Sequence, residues 1–174
     1  YERNDYVSQA LYFGIALAMA LFNLLLFFAL RDVNYLLYVA FVTSMALSMA
    51  GFNGLAYEFL WSNSPAVTPV VTFVGPCLAM VTLLLFTRRM LNTANLMPRL
   101  DKGLKACVVL NALAPLGLFF AFSQAIKPSY LLVAVSTVLI LVSGIVGSLQ
   151  RQRSAYYFVL AFAALCVALF MAQI

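Results

Sequence analysis

Histidine is absent from the 174 residues, and only five carboxylates are present: Glu2, Asp5, Asp32, Glu58 and Asp101. A chain without histidine lacks the commonest general base and the commonest metal ligand. The three cysteines, Cys77, Cys107 and Cys166, stand far apart within or at the end of apolar runs and form no C-x-x-C pair. They read as small buried thiols, not as a disulfide or metal framework. No G-x-x-x-x-G-K phosphate loop is present, and the serines have no base to activate them. The chain as it stands is therefore expected not to be an enzyme and to need no cofactor or metal.

Charge is the next scarcity. Charged residues make up 9% of the chain and hydrophobic residues 66%, with a mean hydropathy of +1.04. Soluble domains carry about 25% charged residues, so this chain cannot cover itself with water-compatible groups and must present its surface to lipid. The net charge of +5 does not point to nucleic acid, because the basic residues cluster at the ends of apolar runs, as in membrane proteins.

What the chain does have is length without charge. Six charge-free intervals, 7–30, 33–57, 59–87, 106–126, 128–150 and 154–174, each reach the roughly 20 residues that a spanning helix needs. Their continuous apolar character argues against a barrel, whose strands alternate. The expected architecture is an all-α integral membrane bundle of six transmembrane helices in a single domain. The spans lie near 8–30, 35–58, 66–87, 106–124, 130–149 and 155–174, with residues 1–7 as a polar outer juxtamembrane segment. Pro76 follows Gly75 in mid-span and Pro115 lies inside the fourth span. Both are candidate kinks, since proline removes a helix hydrogen bond. Around Lys127-Pro128 a turn is expected.

The longest polar connection is 86–105, FTRRMLNTANLMPRLDKGLK, with five of the ten basic residues. Six spans place Arg31, Arg88, Arg89, Arg99, Lys102, Lys105, Arg151 and Arg153 on one side, and Arg3 and Lys127 on the other. The positive-inside rule makes the first side cytoplasmic and both ends of the chain extracytoplasmic. The eight cations and Asp32 form a candidate cytoplasmic coupling surface, although topology and anionic lipid alone would account for the cluster. Within it, Asp101 and Lys105 are spaced to pair at i, i+4.

Polar residues inside the spans are few. Asn23, Asn53, Asn111 and the boundary residue Glu58 are candidate interhelical or ligand contacts. No lysine lies in mid-span to hold a retinal, and no carboxylate lies there to carry protons, which disfavours pumps and ion-coupled transporters. The polar far half of the second span, with Ser44, Ser48 and Gly51, is expected to face protein. Gly144 and Gly147 give a weak dimer signal because their spacing is not G-x-x-x-G, so a homodimer stays an open partnership beside the bilayer.

Four segments in order carry a resemblance. Leu30-Arg31-Asp32-Val33-Asn34-Tyr35-Leu36-Leu37-Tyr38 resembles the first cytoplasmic turn of the bacterial seven-transmembrane receptors with diverse intracellular signalling modules. Gly51-Phe52-Asn53-Gly54 leading to Leu60-Trp61 is similar to the outer end of that family's second span. Phe86-Thr87-Arg88-Arg89-Met90-Leu91 with Pro98-Arg99-Leu100 resembles its large loop, and Arg151-Gln152-Arg153-Ser154-Ala155-Tyr156-Tyr157-Phe158 the loop before its sixth span. Gln152 and Tyr156 depart from the glycine and basic residue expected there, and the seventh span is lacking.

The resemblance implies a signal-transducing module in the bacterial inner membrane. Its partners would be an extracytoplasmic sensor domain of carbohydrate-binding-like fold and a cytoplasmic cyclase, kinase or phosphatase, all in the same full-length protein. It supplies no catalytic residues. The alternative expectation is a fragment of a small-solute transporter or permease.

Overall fold

The computed structural model describes residues 2–52, 67–119 and 122–149. These residues form helices and short connections, and there is no strand among them. The order is α1 (Glu2–Leu30), α2 (Val33–Phe52), α3 (Val67–Met90), the single-turn α4 (Thr93–Leu96), α5 (Pro98–Leu113), a 3-10 segment (Ala114–Phe119) and α6 (Phe122–Leu149). Among the described residues, four stretches are long and apolar enough to cross a membrane: Gln9–Leu30, Val33–Phe52, Val70–Met90 and Leu131–Leu149. Leu25, Phe28 and Leu131 keep more than 60% of their surface exposed. In water such a surface would drive aggregation; in a bilayer it is the lipid-facing side. The fold is an all-α membrane bundle.

The helices pack in chain order, α1 on α2 and α2 on α3, and α3 then meets α5 and α6. The core lies at that last junction, where Leu84, Leu104, Cys107 and Ile140 are buried and Met80, Phe86 and Leu139 pack around them. Between α2 and α3 the contact depends on small residues. Ser44, Ser48 and Gly51 of α2 are buried, and a side chain added at Gly75 of α3 would run into Ser48. The polar half of the second span thus faces protein as far as Gly51; its remaining polar residues, Asn53, Gly54 and Glu58, lie outside the described residues. Its hydroxyls are satisfied within their own helix: Ser44 donates to the Ala40 carbonyl at 2.7 Å and Ser48 to the Ser44 carbonyl at 2.7 Å. In hydrocarbon a buried hydroxyl without an acceptor is costly.

The connections explain two differences from the sequence reading. The region of the fourth expected span, 106–124, is built in pieces: α5 begins earlier, at Pro98, and tightens to the 3-10 segment from Ala114. Pro98 is suited to a first helical turn, while Pro115 has no N–H to continue the α pattern. Pro115 therefore coincides with a change of helix type. Pro128, placed in a turn by the sequence, lies inside α6, which starts at Phe122. As the seventh residue of the helix, Pro128 removes one i→i−4 bond, and the apolar membrane portion begins three residues later at Leu131. α3 continues across Pro76. The sixth expected span, 155–174, lies outside the described residues.

The turn between α1 and α2 is two residues long. Arg31 is left-handed (φ 52°) and its N–H donates to the Phe27 carbonyl at 2.7 Å, closing α1. Asp32 caps α2: its carboxylate accepts the Asn34 backbone N–H at 3.0 Å and the Asn34 Nδ2 at 3.2 Å.

Candidate functional site

The polar connection after α3 is folded. Leu91 donates its N–H to the Thr87 carbonyl at 3.0 Å, and Asn92 then turns left-handed at φ 47°, a conformation asparagine tolerates better than most residues. That turn sends the chain back over the end of α3, with Leu91, Thr93 and Met97 buried beneath it. Pro98 opens α5, and Asp101 falls in its first turn, where the helix dipole favours a negative charge.

Asp101 is the centre of this arrangement. It is 3% exposed and receives three side chains. Arg88, from the last turn of α3, donates Nε to Oδ1 at 2.8 Å and Nη2 to Oδ2 at 3.3 Å. Thr93, at the start of α4, donates its hydroxyl to Oδ1 at 2.8 Å. Lys105, one turn further along α5, places Nζ 2.9 Å from Oδ2. The Arg88 guanidinium above all, with Lys105 and Thr93, holds the Asp101 carboxyl well below the usual carboxylate range, although burial opposes the charge. A buried carboxylate is tolerated only when paired and hydrogen-bonded. Here the partners come from three helices, so the pairing fixes how those helices sit. The arrangement is a clamp between helices.

The predicted surface cations divide accordingly. Arg31, Arg89, Arg99, Lys102 and Lys105 are exposed, whereas the Arg88 side chain is only 21% exposed and turned into the clamp. The Asp101–Lys105 pair expected from spacing forms; the longer-range partners of Asp101, Arg88 and Thr93, were not legible. The available signal was a lone acid inside a basic stretch, which has to be compensated by something. Asp32 is half-buried at its cap. Arg151 and Arg153 lie outside the described residues.

Of the polar membrane residues, Asn111 is 1% exposed and crosses to the next helix, its Nδ2 donating to the Cys107 carbonyl at 2.8 Å and to Ser136 Oγ at 3.0 Å. Asn23 bonds back to the Met19 carbonyl of its own helix at 2.8 Å. Asn53 and Glu58 lie outside the described residues.

Residues 5–174, nearly the whole chain, match the family model described as 7TM diverse intracellular signalling. No curated protein and no solved structure matches. The chain belongs to the 7TM diverse intracellular signalling family, whose membrane domain is a transmembrane sensing module of signalling receptors and is not itself catalytic.

Proposed function

We propose that this family member is the membrane relay of a receptor in a bacterial inner membrane, passing a signal received outside or within the bilayer to a cytoplasmic output domain. The observation that carries the reading is the clamp on Asp101. α3 runs from its close contact with α2 at Gly75 to Arg88, roughly 20 Å along the helix axis. At that end Arg88 is tied to α5 through Asp101. A tilt or rotation of α3 then carries the folded 91–105 connection with it, where a slack loop would absorb the motion. Arg89, Arg99, Lys102 and Lys105 are exposed at this end of the bundle and offer a cationic docking face to a cyclase, kinase or phosphatase of the same protein. Docking through acidic groups would give specificity and orientation.

The relay is tested in the full-length receptor with two mild variants. Arg88→Lys keeps the charge and loses the two-pronged geometry; Thr93→Ala removes one hydrogen bond. Each is expected to move basal output or the signal midpoint by about fivefold at unchanged membrane abundance. Unaltered output in both would end the proposal that the clamp relays.

Sidedness is tested separately. Ala94 is exposed on the connection, whereas Cys77 and Cys107 are buried. Ala94→Cys, made together with Cys166→Ser, is expected in intact cells to react with a membrane-impermeant maleimide only after permeabilisation. Labelling of intact cells would reverse the topology.

A further inference from the structure

A second polar feature lies at the same end of the bundle, apart from the clamp. A cavity of about 310 Å³ is lined by Asn23 of α1, Asp32 of the α1–α2 turn, Asn34, Tyr35 and Tyr38 of α2 and Arg89 of α3. It opens where three of the membrane-crossing stretches, Gln9–Leu30, Val33–Phe52 and Val70–Met90, reach their ends or starts. Asn23 lies roughly two turns inside α1 from the turn residues, so the cavity carries polarity below the boundary of the apolar layer.

Its charges are complementary and unused. A carboxylate and a guanidinium line one space, and neither has an ion-pair partner among the described residues, where the ion pairs are those of Asp101. The Asp32 carboxylate accepts only the neutral N–H groups of Asn34 among the described residues. Asn34 Oδ1 is buried and has no hydrogen-bond partner. The cavity is therefore neutral overall, with a cationic wall at Arg89 and an anionic wall at Asp32.

We propose that this cavity binds the headgroup of a zwitterionic phospholipid with a primary ammonium, of the phosphoethanolamine type. The phosphodiester faces Arg89, and the ammonium faces the Asp32 carboxylate. Three features select this class. A quaternary ammonium has no N–H to donate to the Asp32 carboxylate. A purely anionic headgroup would set its charge against the Asp32 carboxylate. The acyl chains have a path along α1, where Met19 and Leu30, on the same helix face as Asn23, are exposed at 43% and 60%. Because the cavity joins α1, α2 and α3, an occupant would bias the helix that carries Arg88. The binding itself does not depend on the relay reading.

The test is native mass spectrometry of the full chain in detergent, incubated with phosphatidylethanolamine, phosphatidylcholine or phosphatidylglycerol of identical acyl composition. The ethanolamine lipid is expected to bind about tenfold more tightly than either of the others. Arg89→Gln, which leaves the α2 cap intact, is expected to weaken it about tenfold, and Asp32→Asn to abolish the preference over the glycerol lipid. Circular dichroism checks that each variant keeps its helix content; should Asp32→Asn lose helix, Arg89→Gln and the lipid comparison decide. Equal binding of the three lipids, or wild-type binding by Arg89→Gln, overturns the proposal. Glycerophosphoethanolamine without acyl chains is expected not to compete at equal concentration. Competition by it would mean a site for a soluble zwitterion and would overturn the lipid assignment.

Discussion

Asp101→Asn is expected to destabilise the protein by about 3 kcal/mol, close to the cost of breaking a buried ion pair by removing one member. The substitution keeps the shape and removes the charge. Arg88, four-fifths buried, then loses its ionic partner, and the last turn of α3 loses its tie to α5. The neighbouring substitutions form an ordered series. Thr93→Ala removes one hydrogen bond to a charged group and should cost about 1.5 kcal/mol. Lys105→Ala should cost at most about 0.5 kcal/mol, because the lysine side chain is 57% exposed and water takes over.

Thermal unfolding in detergent, followed by reaction of a fluorogenic maleimide with the newly accessible Cys77 and Cys107, measures the series. If Asp101→Asn were no worse than Lys105→Ala, the clamp would be a decoration of the surface.

Acid sharpens this expectation. The folded Asp101 carboxyl titrates below its unfolded value, which is about 3.9. Between the two values the unfolded chain holds more protons, so stability rises with pH across that window. The clamp contributes fully above the unfolded value and is lost only as pH falls through the folded one. The advantage of wild type over Asp101→Asn should therefore be constant near neutrality and shrink below about pH 3.9. A gap that shrinks at higher pH would mean that another group dominates.

The second large effect is expected at Gly75. An added Cβ would meet the Ser48 hydroxyl head-on and lie 3.2 Å from Ser48 Cβ and 3.4 Å from its Cα. The hydroxyl could rotate away, but the backbone-proximal atoms can yield only if α2 and α3 separate. Gly75→Ala should cost about 2 kcal/mol, as overpacking of a close contact does, despite alanine's better helix propensity. Ser48→Gly in the same chain frees the space. The double mutant should recover at least about 1 kcal/mol relative to additivity. Strict additivity would show that the two helices do not meet there as described.

Gly103 is the internal control. Its added Cβ would reach only the Leu139 methyls at 3.7 and 3.8 Å, ordinary contact. Gly103→Ala should be neutral or stabilising by about 0.5–1 kcal/mol.

Residues 88 and 89 show where sequence reading reached its limit. Both are arginines at the end of one apolar run, and charge counting treats them alike. Successive helix positions point about 100° apart, so one reaches back to Asp101 and the other lines the cavity with Asp32. The asparagines divide for a similar reason. Asn23 and Asn111 are both lone amides in apolar helices, yet one bonds its own backbone and the other reaches Ser136 of the neighbouring helix. Spacing can find an i, i+4 pair such as Asp101–Lys105 because both members ride one helix. It cannot find Arg88–Asp101, where a folded turn intervenes.

The sequence by itself determined that this is an all-α membrane protein and where its long apolar runs lie. Those are local properties: the transfer free energy of a run is a sum over its own residues. The tertiary structure decided which charges face the solvent and which are spent on holding helices together. It also decided that Gly75 and Ser48 meet, and that Asp32 and Arg89 line one cavity. These are properties of surfaces brought together by packing, and no run of residues contains them until the helices have chosen their neighbours.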